Sequence, residues 1–391
     1  MQPTIRRPLP VLIALSLVIG LFAGLPATES EAGGRRKIVE SRKIAPGLLF
    51  TKIIEKKIPR RTFVLKIDPS RPLTVDVALA ANQLPARRTT SQIAKRTGAL
   101  VAVNGDFSVP GVGRPVHVFA QDGHLVQTAN QQGPLFALRV DEQGVYVGQP
   151  SLRVSVTNRV SGQTWVLDRW NQGPPAPGEI VGFSPLGGTL EPPPAYSCSV
   201  RLVPDGTRSL GEAGVVWDHV VDSAGCSEVP MARDGGLVLS AAPATDEATQ
   251  LLAMMPGARM RLRWSLGWEG VYDAIGGMPL LVQDGQIVAE TCASAFCGRN
   301  PRTAIGWTAK NRILLVVVDG RRPKRWSVGA SLVEMARIMQ DLGAVQALNL
   351  DGGGSSTIVV RGKVVNRPSD DSERRVATAV VVLPGPDPGE A

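Results

Sequence analysis

The 391 residues are 43% hydrophobic and 20% charged, a globular composition with enough apolar mass to bury a large core. The formal charge of +9 sits in one segment: residues 33–66 hold eleven Lys and Arg against two Glu, and the rest of the chain nets to zero. A neutral body without a known nucleic-acid motif argues against nucleic acid as a partner. The 42 Gly and 31 Pro point to many turns and a β-rich chain.

Arg6 and Arg7 precede an apolar run from Val11 to Leu25, with small residues offering cleavage after Ala27 or Ala32. Residues 1–32 therefore read as an export signal, with an uncleaved N-terminal anchor as the alternative. The run is short beside the roughly 20 residues of a transmembrane helix. Residues 33–46 read as a basic linker arm, residues 47–385 as one domain and residues 386–391 as a tail. The basic stretch 33–66 would meet an anionic wall polymer or membrane surface, or simply blunt an exposed strand. Four cysteines in an exported chain read as disulfides, and proximity pairs Cys292 with Cys297 and Cys198 with Cys226. Zinc is disfavoured, because no CxxC occurs and His117, His124 and His219 are scattered.

Strands are expected at Leu48–Ile54, Thr62–Ile67 and Leu73–Ala80. A short helix, Gln92–Thr97, is stopped by Gly98, and a buried strand then delivers Asn104-Gly105-Asp106-Phe107. A β-meander follows from Val116 to Tyr146. The stretch from Gly173 to Pro194 reads as a loop or insertion, and Cys198 to Cys226 as a stapled excursion. Ile313–Val318 is an apolar strand ending at Asp319-Gly320-Arg321. Ser331 with Glu334 forms a capping box that opens an amphipathic helix ended by Gly343. The apolar run Val345–Leu350 then leads into Asp351-Gly352-Gly353-Gly354-Ser355-Ser356-Thr357. Such a glycine run permits close backbone approach to a ligand, and its amides can form an anion-binding nest.

One internal match organises the chain. Residues 98–106 align without gaps on residues 343–351, and each unit is helix, Gly stop, buried strand, then Asn-x-Asp at the strand's end. Strand ends are common ligand sites, so the two loops are expected to lie side by side and build one site. The fold class expected is α+β: a single domain of largely antiparallel sheet with packed helices, the two similar helix–strand units near its centre.

The loops pool carboxylates, amides, hydroxyls and guanidiniums. The Gly-rich loop lacks the Lys-Ser/Thr of a P-loop, and no nucleophile elbow occurs. Carboxylates with amides suit glycosidic chemistry, and arginines can hold phosphate. Six motifs occur in order: Asn104-Gly105-Asp106-Phe107, Gly276-Gly277-Met278-Pro279-Leu280-Leu281-Val282, and Asn300-Pro301-Arg302-Thr303-Ala304-Ile305-Gly306. Then come Val318-Asp319-Gly320-Arg321, Asn349-Leu350-Asp351-Gly352-Gly353-Gly354-Ser355-Ser356, and Asn366-Arg367-Pro368-Ser369-Asp370. Together they resemble the phosphodiester glycosidase family, over roughly Gly47 to Leu383. The chain departs from the family's pattern at Ser108 and Met278, which bears on the substrate more than on the reaction.

The resemblance implies an exported hydrolase that cleaves the glycosidic C–O bond of a sugar-1-phosphodiester or phosphoglycan, releasing free sugar and a phosphomonoester. The candidate catalytic carboxylate is Asp351 or Asp106, with Glu373 as the alternative base. Arg302 and Arg321 would hold the phosphate, while Asn104, Asn349 and Ser355 would bind sugar hydroxyls. Gly105, Thr303, Asp319, Gly352, Gly353, Gly354, Ser356, Asp370 and Arg374 complete the expected substrate-binding set. No cofactor is required, and a divalent cation in the acidic loops stays open. The alternative is a non-catalytic secreted module that binds anionic cell-wall or exopolysaccharide glycans.

Overall fold

The strand Ile313–Val318 shows how the chain is layered. Its side chains alternate between two cores: Ile313, Leu315 and Val317 face one, and Leu314, Val316 and Val318 face another. A strand covered on both faces reads as a continuous apolar run, and a one-residue slip would exchange its two faces. The strand Val101–Asn104 is built the same way, with Val101 and Val103 facing the same core as Leu315 and Ala102 facing a further one.

These observations come from a computed structural model that describes residues 36–109, 111–139, 144–190, 197–211, 214–226, 235–322 and 326–385. The export signal read at residues 1–32 and the tail at 386–391 lie outside the described residues. Among the described residues, no helix is long and apolar enough to cross a membrane.

Four sheets carry the fold. The first has eight antiparallel strands, in the order Arg36–Ala45, Leu48–Glu55, Arg60–Ile67, Ile313–Val318, Arg302–Thr308, Ala344–Asn349, Leu280–Gln283 and Gln286–Ile287. The second runs Lys363–Val364, Ile358–Val360, Val101–Asn104, Thr378–Pro384 and Leu73–Leu79. Phe63, Leu65 and Leu348 of the first sheet meet Val77, Val103 and Val380 of the second in one large core. Fully burying such side chains stabilises by roughly 1.5–3 kcal/mol each. A third sheet of five strands bridges outward, turning Phe136 and Ile275 to this core and Ala137 and Ala274 to the next. The fourth sheet has eight strands around its own interior, where Val200, Leu239, Leu262 and Trp264 pack. Its edge strands, Thr164–Leu167 and Arg169–Trp170, are separated only by Asp168, so the sheet comes almost round to a closed barrel.

The architecture is therefore mostly β, which corrects the expected α+β class. Among the described residues the three α-helices, α1 (Thr90–Thr97), α2 (Asp246–Leu252) and α3 (Leu332–Asp341), are short and form no layer. Each covers one patch of sheet: Ile93 and Ala94 of α1 lie on Ala102 and Val381, and Met335 and Met339 of α3 lie on Val316 and Ala347. The helical periodicities were real, but the sheets are covered chiefly by one another.

Two local readings also change. Residues 36–45 of the basic arm form the edge strand of the first sheet and pair with Leu48–Glu55, so they are not a linker. The Gly173–Pro194 stretch contains the strand Ile180–Phe183, paired on both sides. Both disulfides form as paired by proximity, and Cys198–Cys226 staples the base of the hairpin Cys198–Gly211/Gly214–Gly225.

Candidate active site

The strands Val101–Asn104 and Ala344–Asn349 belong to different sheets, yet their ends meet. Asn104 Nδ2 donates to the Asp351 carbonyl at 2.7 Å, and the Asp351 amide donates to the Gly105 carbonyl at 3.1 Å. Asn104 Oδ1 accepts from the Thr303 hydroxyl at 2.7 Å and from the Thr357 amide at 3.1 Å. Asn104 and Thr303 are both fully buried, so these side chains lock loops together and do not face a sugar. Asn349 is likewise turned inward, donating to the carbonyls of Met278 and Leu350 at 2.7 and 2.9 Å.

Beside this junction opens a cleft of about 290 Å³, lined by Phe107, Phe296, Asn300, Arg302, Arg321, Asp351, Gly352, Gly353 and Arg374. One carboxylate thus shares a cleft with three guanidiniums. Burial raises the Asp351 carboxyl to about 6, and the nearby Asp106 charge adds to the rise. The Ser355 hydroxyl, the Gly352 amide (2.8 Å) and the Arg374 charge pull the other way without cancelling it.

The glycine run acts differently from an amide nest. The Gly352 amide is taken by Asp351, and the Gly353 amide donates to the Pro301 carbonyl at 2.9 Å. Gly353 takes φ +61 and lets the Arg321 guanidinium lie against its backbone. Gly354 leaves room for the Asp370–Arg374 pair, which an added Cβ would overlap.

The arginines are held by different means. Arg302 is 2% exposed; its Nε donates to the Ala330 carbonyl at 3.1 Å and its Nη2 to the Phe296 and Gly298 carbonyls. Burial and the neighbouring Arg321 charge lower Arg302 to about 10, so it stays protonated at neutral pH. Arg321 is exposed and rests on Asn300 Oδ1. Arg374 pairs with Asp370 at 2.7 Å.

Other predicted residues stand outside the cleft lining. Asp106 is 1% exposed, with Oδ1 on His117 Nδ1 at 2.7 Å and Oδ2 accepting the His117 amide at 2.9 Å. It acts on the cleft through its charge on Asp351. Asp319 is buried and ties together Trp326, Asn366 and the Arg367 amide; burial raises its carboxyl above the usual range. Ser356, also buried, accepts from Asn366 through its carbonyl.

Glu373 accepts from the Ser91 amide at 2.9 Å and from the Ser91 hydroxyl, at the start of α1. Its Ala substitution is expected to leave turnover within about threefold of wild type while lowering stability by about 1 kcal/mol, as for a lost helix-terminal partner. Steady-state rates and a denaturant melt measure both; a hundredfold rate loss would restore Glu373 as a base.

Sequence reasoning missed His117 and Asn300. His117 fits no zinc spacing, and its contact with Asp106 comes from the loop between residues 106 and 117. Asn300 lay inside a quoted motif without an assigned role. Carboxylate oxygens of Asp76, Asp122 and Asp273 come within 4.8 Å of one another, a grouping that could hold a cation, and none of the three lines the cleft.

Residues 212–383 match a family profile described as phosphodiester glycosidase. Through that stretch the chain is similar to the phosphodiester glycosidase family. Human N-acetylglucosamine-1-phosphodiester alpha-N-acetylglucosaminidase is 40% identical over 129 residues, covering 28% of this chain and 24% of the human protein. The chain thus spans about a quarter of the length of the curated relatives it matches. Among solved structures, a hypothetical protein from Synechocystis superposes with a TM-score of 0.67 at 22% identity, covering 88% of this chain and 63% of that one. A putative exported protein from Burkholderia pseudomallei gives 0.58 at 27% identity, covering 83% and 74%. The matched stretch contains Arg302, Arg321, Asp351 and Arg374, whereas Asn104 and Asp106 come from outside it.

Proposed function

We propose that this chain is an exported hydrolase of sugar-1-phosphodiesters, cleaving the glycosidic C–O bond to release free sugar and a phosphomonoester. The observation that supports this best is the single cleft holding Asp351 among Arg302, Arg321 and Arg374. A phosphodiester leaving group departs as a weakly basic anion, so it needs positive charge more than a general acid. Arg321, Arg374 and the outward side of Arg302 supply that charge. Asp351 would activate water or stabilise an oxocarbenium-like centre. The human relative's name describes a substrate of this class, a sugar-1-phosphodiester.

If the ionised form of Asp351 acts, kcat/KM should rise with pH through a midpoint near 6, the value to which burial lifts this carboxyl. A pH–rate profile on a sugar-1-phosphodiester measures that limb, and a flat profile from pH 5 to about 8 would count against Asp351 as base. The reaction itself is tested by assaying free sugar in ¹⁸O-labelled water. Label in the sugar means C–O cleavage. Label in the phosphate means a phosphodiesterase, and tight binding without product favours the glycan-binding module.

Export is supported by the two disulfides and by the Burkholderia protein described as exported. Contact with an anionic wall polymer or membrane surface gains support from a cationic cluster at residues 36–66. Lys52 and Arg61, joined by Arg367, surround the Trp326 ring at 5.9, 3.7 and 5.8 Å.

A further inference from the structure

The cleft's two neighbouring arginines, Arg302 and Arg321, come from different places. Arg302 opens the strand Arg302–Thr308, and Arg321 follows the strand Ile313–Val318. Both are nonetheless held by one short loop that the Cys292–Cys297 disulfide closes. Arg302 Nη2 donates to the carbonyls of Phe296 and Gly298, the latter at 2.8 Å. The Arg302 guanidinium also lies 5.3 Å from the Phe296 ring centroid. Arg321 is held one step removed. Its Nε and Nη2 donate to Asn300 Oδ1 at 3.3 and 3.2 Å, and Asn300 Nδ2 donates to the Ala295 and Gly298 carbonyls at 2.9 and 3.3 Å.

Residues 290–295 are exposed, and no helix or strand runs from 288 to 301. The stretch past the ring is tied down by Arg299 on Glu334 and by the paired backbone bonds of Asn300 and Ala330. Within the ring, order comes from the disulfide, from the Phe296 amide on the Ser294 hydroxyl, from the turn bond of Cys297 to Ser294, and from Phe296 and Cys297 resting on a core. Closing so small a ring removes many backbone conformations that would place these carbonyls elsewhere. Two guanidiniums close together repel each other, so their spacing depends on the acceptors that fix them.

We infer that the Cys292–Cys297 loop, with Asn300 as its bridge, is the positioning element for an anion site formed by Arg302 and Arg321. This rests on the phosphate role proposed above. Asn300 and Phe296 act here through the arginines and are positioning residues.

Inorganic phosphate is the probe, its affinity measured calorimetrically on the full chain. Cys292→Ser/Cys297→Ser and, separately, Asn300→Ala are each expected to weaken phosphate binding at least tenfold. Each should raise KM for a sugar-1-phosphodiester in parallel, leaving kcat within about fivefold. The acid limb near pH 6 should not move, since it belongs to Asp351. General loss of structure would instead lower kcat and displace that limb. Should the double variant fail to fold, mild reduction of the wild-type chain serves in its place. Cys292 is exposed, and mass-spectrometric mapping of the freed thiols identifies the disulfide that has opened. Unchanged phosphate affinity in folded variants, or after reduction of Cys292–Cys297, overturns the inference, as does a wild-type chain that binds no phosphate. Phosphate binding that depends on the loop, in a chain that turns over no sugar phosphodiester, upholds the inference and sinks the hydrolase reading alone.

Discussion

Asp351→Asn is expected to lower kcat/KM on a sugar-1-phosphodiester by about 10²–10⁴-fold, the range for removing a general acid or base. It should do so without loss of stability. The folded state holds the Asp351 carboxyl near 6, above its ordinary value of 3.8. Between those values the folded chain keeps a proton that the unfolded chain has released. Stability therefore falls as pH rises from about 4 to about 6, and above 6 the full cost of a buried charge is present. The amide has no such cost. Thermal midpoints at pH 7.5 should be equal to or above wild type, and the gap should close at pH 4. A variant that loses activity together with several degrees of stability at pH 7.5 would place Asp351 among the structural residues.

The second large effect separates two arginines that look equivalent in sequence. Arg302→Ala is expected to lose activity and stability together. It empties a site where the side chain is 2% exposed and removes a donor from the carbonyls of Ala330, Phe296 and Gly298; a buried group left unsatisfied costs roughly 1–3 kcal/mol. Arg321→Ala should be nearly neutral in stability, because the side chain is exposed and its hydrogen bonds go to Asn300. Its loss should appear in kcat/KM for phosphodiesters, about 10–100-fold, from one charged hydrogen bond to the substrate. An uncharged aryl glycoside is the control. Equal losses on both substrates would remove Arg321 from the phosphate; an unchanged thermal midpoint in Arg302→Ala would show that its carbonyl contacts carry no weight.

How much of this could be read from sequence depended on distance along the chain. The matched Asn-x-Asp units were visible because each is local: a helix, a stop glycine and a short apolar strand. Their convergence was an expectation that the bond from Asn104 to the Asp351 carbonyl makes concrete. The roles within the loops were less legible. Asn104, Asn349, Asp319 and Asp106 are polar residues at strand ends, the composition of a binding site, yet they spend their groups on backbone and on the side chains of Thr303, Trp326, Asn366 and His117. Sequence does not distinguish a polar group aimed at a ligand from one that satisfies buried backbone. The fold class failed for a related reason. Helical periodicity is detectable over eight or ten residues, whereas pairing such as Arg60–Ile67 with Ile313–Val318 joins segments about 250 residues apart. No local pattern reports that pairing, so the helices were given more of the architecture than they carry.

The place of the strand Val101–Asn104 bears on how such a chain can be cut or inherited. It lies between Ile358–Val360 and Thr378–Pro384 and pairs with both. The stretch 212–383 therefore holds two strands that flank a slot filled from the other half of the chain. Excised alone, it would expose two facing rows of unpaired backbone along an apolar sheet, a surface prone to self-association. The matched stretch is thus not a module in the sense of a portable part. Gene fusion or truncation that keeps only the C-terminal half would carry the arginines and Asp351 but lose the sheet that holds them in register.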